Sequence, residues 1–307
     1  KMMVAGNTFY GDDIKSLYQR IIDGNIDNGD GDYQQQDLIP DYIETITSDI
    51  QLARPLNIAV DCGNGVAAVL AVELFSKLGC EITPLYCDVD GTFPNHHPDP
   101  SKPENLDDIK QAIADKALDL GLAFDGDGDR VGIVDDQQNI IWADRQMMLY
   151  AADVLERKPG AQIIFDIKSS TNLEHFIEQH GGEPLMWKTG HSFIKAKMKE
   201  TGAELAGEMS GHIFFKERWF GFDDGLYSAA RMLEILSKRN QSTSEVFAEL
   251  PDSINTPELQ IMFEEGEHYR FMERFKQDAD FGDADIITID GMRINFENGW
   301  GLIRPSN

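Results

Sequence analysis

The sequence predicts an α/β protein: two consecutive, similar α/β domains with mainly parallel mixed sheets, preceded by the tail of another domain and followed by part of a smaller α+β domain. Three observations carry this expectation. Apolar runs of strand length alternate with helix-length amphipathic segments, which favours parallel sheets covered by helices. The alternation is written twice in the same order, as an internal repeat. Near the end of the chain the pattern changes to short strands joined by tight turns.

In chain order, residues 12–23 are amphipathic, the Gly/Asp/Asn-rich stretch 23–32 has linker composition, and a helix is expected over 39–52. The first copy has a strand at 56–61, a Gly63-Asn64-Gly65 turn, a helix over 66–78, a strand at 82–86, a helix over 106–116 and a strand at 119–124. The second has a strand at 162–167, a Lys168-Ser169-Ser170 turn, a helix over 172–180, a strand at 184–187, a helix over 193–200 and strands at 204–206 and 213–215. A helix over 226–237 follows, with Asp223 and Asp224 as N-terminal caps. Strands at 285–289, 292–295 and 301–303, with an Asp290-Gly291 turn, close the pattern. The expected domain limits are 1–36, 37–139, 140–250 and 251–307, and both ends read as cut from a longer protein.

Each copy places a polar loop after its third strand. In the first, Asp125, Asp127 and Asp129 alternate with Gly126 and Gly128, between apolar runs. Three carboxylates this close repel one another unless a cation sits among them. The glycines let the backbone curl so that the oxygens converge. Oxygen-only ligation suits a hard divalent cation, Mg²⁺ before Ca²⁺, and Arg130 adds a fixed positive fork beside it. An EF-hand would need Gly and Glu where this chain has Arg130 and Asp136. A solvated acidic turn would leave the apolar frame unexplained. In the second copy the loop is Gly207-Glu208-Met209-Ser210-Gly211-His212, whose polar groups suit sugar hydroxyls. Ligands bind at the carboxyl ends of parallel strands, so the two loops should face one cleft. Lys188-Thr189-Gly190-His191, between a strand and a helix, is a candidate anion site or a plain capped helix. Arg304, Ser306 and Asn307 follow the last strand and can form a phosphate cradle.

A net charge of -27 argues against nucleic acid or an anionic membrane as partner. It also requires that any anion site carry its own cations, for which Arg130, Lys168, Lys188, His191, His212, Lys216, Arg218 and Arg304 are candidates. No apolar run reaches membrane-span length and the opening residues show no signal-peptide pattern. Cys62, Cys80 and Cys87 lack metal-site spacing and read as reduced, which points to the cytoplasm. His96 and His97, in a Pro-rich loop, read as structural.

Together the loop at 125–130, the strings at 186–191 and 207–212, the run at 215–225 and the segment 304–307 resemble the α-D-phosphohexomutase family, in its bacterial phosphomannomutase/phosphoglucomutase branch. The resemblance covers essentially the whole chain and implies a four-domain protein around a central cleft. It implies Asp125, Asp127 and Asp129 as Mg²⁺ ligands, Arg130 and Lys168 beside the transferred phosphoryl group, and His212 as a candidate acid/base. It implies His191, Glu208 and Ser210 as sugar-recognition positions and Arg304, Ser306 and Asn307 as the start of a phosphate-binding loop, and Lys188 is expected, from its place in the candidate anion site, to border the non-transferred phosphate with His191 and Arg304. The implied reaction interconverts 1-phospho and 6-phospho forms of mannose or glucose through an active-site phosphoserine and a 1,6-bisphosphorylated sugar. No Ser-His-Asn-Pro-like loop occurs in this sequence, so the chain alone is expected to be inert as a mutase. Met209 stands where phosphoglucosamine mutases resemble one another in having Gln, which disfavours that rival. A metal-dependent phosphatase or a non-catalytic sugar-phosphate-binding piece are readings of another class.

Overall fold

A computed structural model describes residues 3–4, 7–9, 11–27, 29–264 and 266–305. The chain forms two compact units, 1–42 and 43–307. In the first, strands β1 (Met3–Val4) and β2 (Asn7–Thr8) pair antiparallel, and helix α1 (Asp12–Ile22) carries Asp12 and Asp13 in its first turn and Arg20 in its last, in accord with the helix dipole. Helix α2 spans Ile39–Asp49.

The second unit contains the repeat. In the first copy, β3 (Asn57–Asp61), α3 (Ala71–Lys77), β4 (Glu81–Leu85), α4 (Asp107–Lys116), β5 (Leu120–Phe124), β6 (Val131–Asp135) and β7 (Ile140–Ile141) build a sheet of order β4-β3-β5-β6-β7. The first three strands are parallel, and β6 and β7 turn antiparallel. The expected helix over 66–78 is instead a 3₁₀ turn (Val66–Val69) followed by α3. Helix α4 lays Ile109 and Ile113 on one face of this sheet against Ala59, Ala123 and Val134. Gly121 leaves the room they need, since a Cβ there would meet Ile109 at 2.7 Å.

The second copy begins with helix α5 (Ala143–Arg157), followed by β8 (Gln162–Asp166), α6 (Thr171–Gln179), β9 (Glu183–Trp187), α7 (His191–Thr201), β10 (Leu205–Gly207) and β11 (Ile213–Phe215). Its sheet order is β11-β10-β8-β9, with β11 antiparallel. Read outward from the first strand, this is the arrangement of the first copy. The equivalence extends to single bonds: Cys62 N donates to Leu85 O in one copy and Ile167 N to Trp187 O in the other.

Helix α8 (Gly225–Ser237), with every residue buried, packs on β5 and β6 of the first sheet and on β11 of the second. Asp224 caps it, accepting from Tyr227 N at 3.0 Å. Asp223 is not a cap as expected: it pairs with Lys195 at 2.9 Å. A short helix α9 (Thr243–Ala248) opens with a capping box of Ser242 and Glu245. Helix α10 (Glu267–Asp278) and the antiparallel strands β12 (Asp285–Ile287), β13 (Met292–Phe296) and β14 (Gly299–Ile303) enclose a small core of Met272, Met292 and Ile294. Among the described residues no helix is long and apolar enough to cross a membrane.

Candidate active site

The carboxyl ends of β5 and β10 carry the two loops, and they meet. Arg130 and His212 form an isolated antiparallel bridge, and Val131 N donates to Gly211 O at 3.3 Å. Gly225 brings α8 up behind them: its N donates to Gly128 O, and a Cβ there would lie 2.8 Å from the carbonyls of Gly128 and Arg130.

In the first loop Asp125, Asp127 and Asp129 each offer an oxygen within 4.8 Å of the others. Asp125 and Asp129 are buried and Asp127 is exposed, so the set is anchored on one side and open on the other. Three converging carboxylates without nitrogen or sulfur fit a hard divalent metal ion, and these residues would hold it. Burial pushes Asp125 above the usual carboxylate value, and Arg130 pulls it back, donating through Nε at 2.7 Å and through its backbone N at 3.1 Å. Arg130 also reaches Asp99 at 3.2 Å. Nothing in the residue pattern marks Asp99, which reaches Arg130 from the Pro-rich loop.

His212 ties the two loops together. Its Nε2 lies 3.1 Å from Asp129 Oδ1, and its Nδ1 lies 3.1 Å from Glu208 Oε2 and 2.8 Å from Ser210 Oγ. Both ring nitrogens thus lie within ion-pair distance of a carboxylate, and Nδ1 is hydrogen-bonded to Ser210 Oγ. Glu208 is buried and its Oε1 accepts from Gly190 N, which connects this loop to the start of α7. His191 begins that helix, with its ring centroid 5.6 Å from that of His212.

Beneath these loops lies Asp166, at the carboxyl end of β8 and fully buried. It accepts from Ser169 Oγ at 3.0 Å, Thr189 Oγ1 at 3.1 Å and Met209 N at 3.3 Å. One carboxylate thus joins the Lys168 turn, the Thr189 loop and the Glu208 loop. Burial, with Glu208 adding to it, pushes its pKa up to about 6. The strand expected at 162–167 covers Asp166 without marking it for any role.

The remaining predicted cations divide. Lys168 pairs with Glu258 at 2.7 Å and holds that carboxyl below its usual range. Arg304 pairs with Asp290 at 3.2 Å, and the same Asp290 oxygen accepts from Thr189 N at 3.2 Å, bringing Arg304 to the loop that carries Lys188. Lys188 is exposed, its ammonium 5.9 Å from the centre of the Phe193 ring. Arg293, fully buried, donates to the carbonyls of Ile167 and Ser169 and stacks on Trp300, fixing the Lys168 turn to β13. Arg218 is a correction: it bonds Asp49 and Glu234 and pins α2 to α8. Lys216 is exposed and donates to Gly202 O. Ser306 and Asn307 lie outside the described residues.

Family models for phosphoglucomutase/phosphomannomutase α/β/α domains II and III match residues 40–138 and 142–254. A phosphoglucomutase of Neisseria meningitidis serogroup A is 53% identical over 311 residues, and all of this chain aligns with 67% of it. The chain belongs to the phosphoglucomutase/phosphomannomutase family. A phosphomannomutase/phosphoglucomutase of Pseudomonas aeruginosa is 53% identical over 307 residues, and the chain spans 66% of its length. The crystal structure of a family protein from Burkholderia thailandensis superposes with a TM-score of 0.94 at 51% identity, over 98% of this chain and 65% of that one. An Aspergillus fumigatus N-acetylphosphoglucosamine mutase, solved in complex with GlcNAc-6P and magnesium, shares the fold at 14% identity and a TM-score of 0.53, over 83% of this chain and 64% of that one.

Proposed function

We propose that the protein carrying this chain is a cytoplasmic phosphohexomutase that interconverts the 1- and 6-phosphates of mannose and glucose, through a phosphoserine and a 1,6-bisphosphorylated sugar. The observation that carries this reading is the line Asp129–His212–Glu208, in which one imidazole joins an all-carboxylate loop to a loop of sugar-type donors and acceptors. The relatives' names supply the substrate class.

Asp125, Asp127 and Asp129 would hold Mg²⁺, which when bound neutralises charge on a phosphoryl oxygen. Arg130, oriented by Asp125 and Asp99, presents its planar fork to the same group. Lys168 adds a second positive charge, and a phosphate that binds it has to displace Glu258. His212 takes or returns a proton at the sugar oxygen, assisted by the carboxylate on its other face. Glu208 and Ser210 bond hydroxyls. Lys188, His191, Arg304, Ser306 and Asn307 receive the phosphate that is not being transferred, and Arg304 does so by releasing Asp290. A sugar that must react at both ends is served by a few polar contacts shared between two poses better than by one tight pocket.

Glu208→Gln in the full-length protein tests this. It removes a charged acceptor, worth roughly 1.5–3 kcal/mol, or on the order of ten- to a hundredfold in turnover. The loss should be similar for glucose and mannose phosphates in steady-state assays, with thermal stability unchanged. Wild-type rates, or a loss accounted for by unfolding, would contradict the assignment.

A further inference from the structure

The chain holds three free cysteines, and two of them touch. Cys62 Sγ lies 3.5 Å from Cys87 Sγ. The backbone sets this approach. Strands β3 and β4 are parallel with Asp61 opposite Leu85, and the chain stays paired beyond them: Cys62 N donates to Leu85 O at 3.1 Å and Asn64 N to Tyr86 O at 2.9 Å. Cys62 is fully buried and Cys87 half-buried, so a small oxidant meets Cys87 first. The hydrogen bond between the sulfurs raises the Cys62 thiol, with burial adding to it, and lowers that of Cys87. Cys80 sits at the opposite end of β4, buried and apart from the pair, its thiol pushed up to about 12 by burial.

The pair stands directly beside the aspartate loop. Three residues beyond Cys62, a Cβ on Gly65 would lie 2.9 Å from Gly126 O and 3.0 Å from Asp125 O, and Val66 N donates to Gly126 O at 3.1 Å.

We propose that Cys87 and Cys62 are an oxidative modification site for peroxides, with Cys87 attacked first and Cys62 resolving it to a disulfide. In the first step the Cys87 thiolate attacks one peroxide oxygen. The O–O bond breaks, hydroxide leaves and takes up a proton as water, and Cys87 becomes a sulfenic acid. In the second step Cys62 sulfur attacks Cys87 sulfur. The S–O bond breaks, the S–S bond forms, and the departing hydroxide leaves as water with the Cys62 proton. Two thiols and one hydrogen peroxide give one disulfide and two waters. A disulfide needs its sulfurs about 2.05 Å apart, so they have to close by only about 1.5 Å. The bond would fasten the ends of β3 and β4 next to the backbone that carries Asp125. No turnover of any sugar is required, so this site stands whether or not the mutase reading does.

The test is hydrogen peroxide added to the folded, reduced protein, followed by alkylation and peptide mass mapping. The expected result is a Cys62–Cys87 cross-linked peptide that dithiothreitol reverses, with Cys80 alkylated as a free thiol. Cys62→Ser should leave Cys87 as a sulfenic acid that dimedone traps. Cys87→Ser should leave Cys62 reduced under the same dose, so the proposal stays testable if either variant fails to fold. Wild-type Cys87 passing to sulfinic acid while Cys62 stays a thiol would overturn it. So would both cysteines staying reduced at a dose that oxidises the urea-unfolded chain.

Discussion

The two α/β copies share a strand order and even individual backbone bonds, yet they treat the aspartate at the end of their first strand in opposite ways. In the first copy, Asp61 accepts from Gly63 N at 2.8 Å and faces His96 Nε2 at 3.1 Å. That hydrogen bond raises His96 to about 9, so the imidazole is charged at neutral pH. In the other copy, Asp166 takes its three bonds from neutral donors, Ser169, Thr189 and Met209 N, and burial lifts it to about 6. A charged pair stiffens the copy that already concentrates carboxylates. A lone acceptor shared by three loops organises the copy that carries the Glu208 loop. Duplication kept the backbone position and changed the way its charge is compensated.

The largest effect expected from breaking this difference is at Asp166. Asp166→Ala leaves the buried Ser169 hydroxyl, the half-buried Thr189 hydroxyl and the Met209 N–H without their acceptor, at about 1 kcal/mol each and therefore ~3 kcal/mol in all. Urea unfolding should show that loss. Asp166→Asn should cost under about 1 kcal/mol, because the Ser169 and Thr189 hydroxyls can turn to accept. A loss for Asn equal to that for Ala would show that the carboxylate's charge matters more than its bonds.

The second effect is pH dependence. Both groups have folded pKa values above their unfolded ones, so each contributes stability that is present at low pH and lost as pH rises. For Asp166 the loss falls between its ordinary 3.8 and about 6, and for His96 between its ordinary 6.5 and about 9. The His96 step should be about 1–2 kcal/mol once its partial exposure is allowed for. His96→Gln should flatten the upper window and leave the lower one, as read by urea midpoints from pH 4 to 9. A flat upper window in the wild type would break the ion-pair half of the comparison.

These two aspartates also mark how far the sequence could be read. The aspartate loop was legible because its three carboxylates lie within five residues and the alternating glycines are local. The register of the second loop followed from the repeat. Asp166 was not legible, because its partners come from three separate turns and only the fold brings them together. Arg293 is similar: a charged residue in a strand pattern gives no sign that it will be buried against the carbonyls of Ile167 and Ser169. Helix α5 escaped for another reason. It buries residues on nearly all sides, including Asp144 and Gln146, so it lacks the one-sided period that reveals a surface helix. Arg218 looked like part of an anion site because only its charge is visible in sequence, whereas its partners Asp49 and Glu234 are remote.

The smallest effect concerns the wall between the copies. Asp224→Ala removes the cap of α8, at about 1 kcal/mol. Because α8 packs on both sheets, thermal unfolding should stay a single transition for the two copies at a lower midpoint. Two separate transitions would show that the copies unfold independently.

The central claim, that one copy holds the metal and the other the sugar, is tested most directly by titrating Mg²⁺ calorimetrically into wild type, Asp127→Asn and Glu208→Gln. Asp127 is exposed at the open side of its loop, so its replacement should leave the fold intact. The account predicts that Asp127→Asn weakens Mg²⁺ by about tenfold or more, on the order of 1.4 kcal/mol, while Glu208→Gln changes it by less than about twofold. Equal losses in both variants, or unchanged affinity in Asp127→Asn, would contradict it.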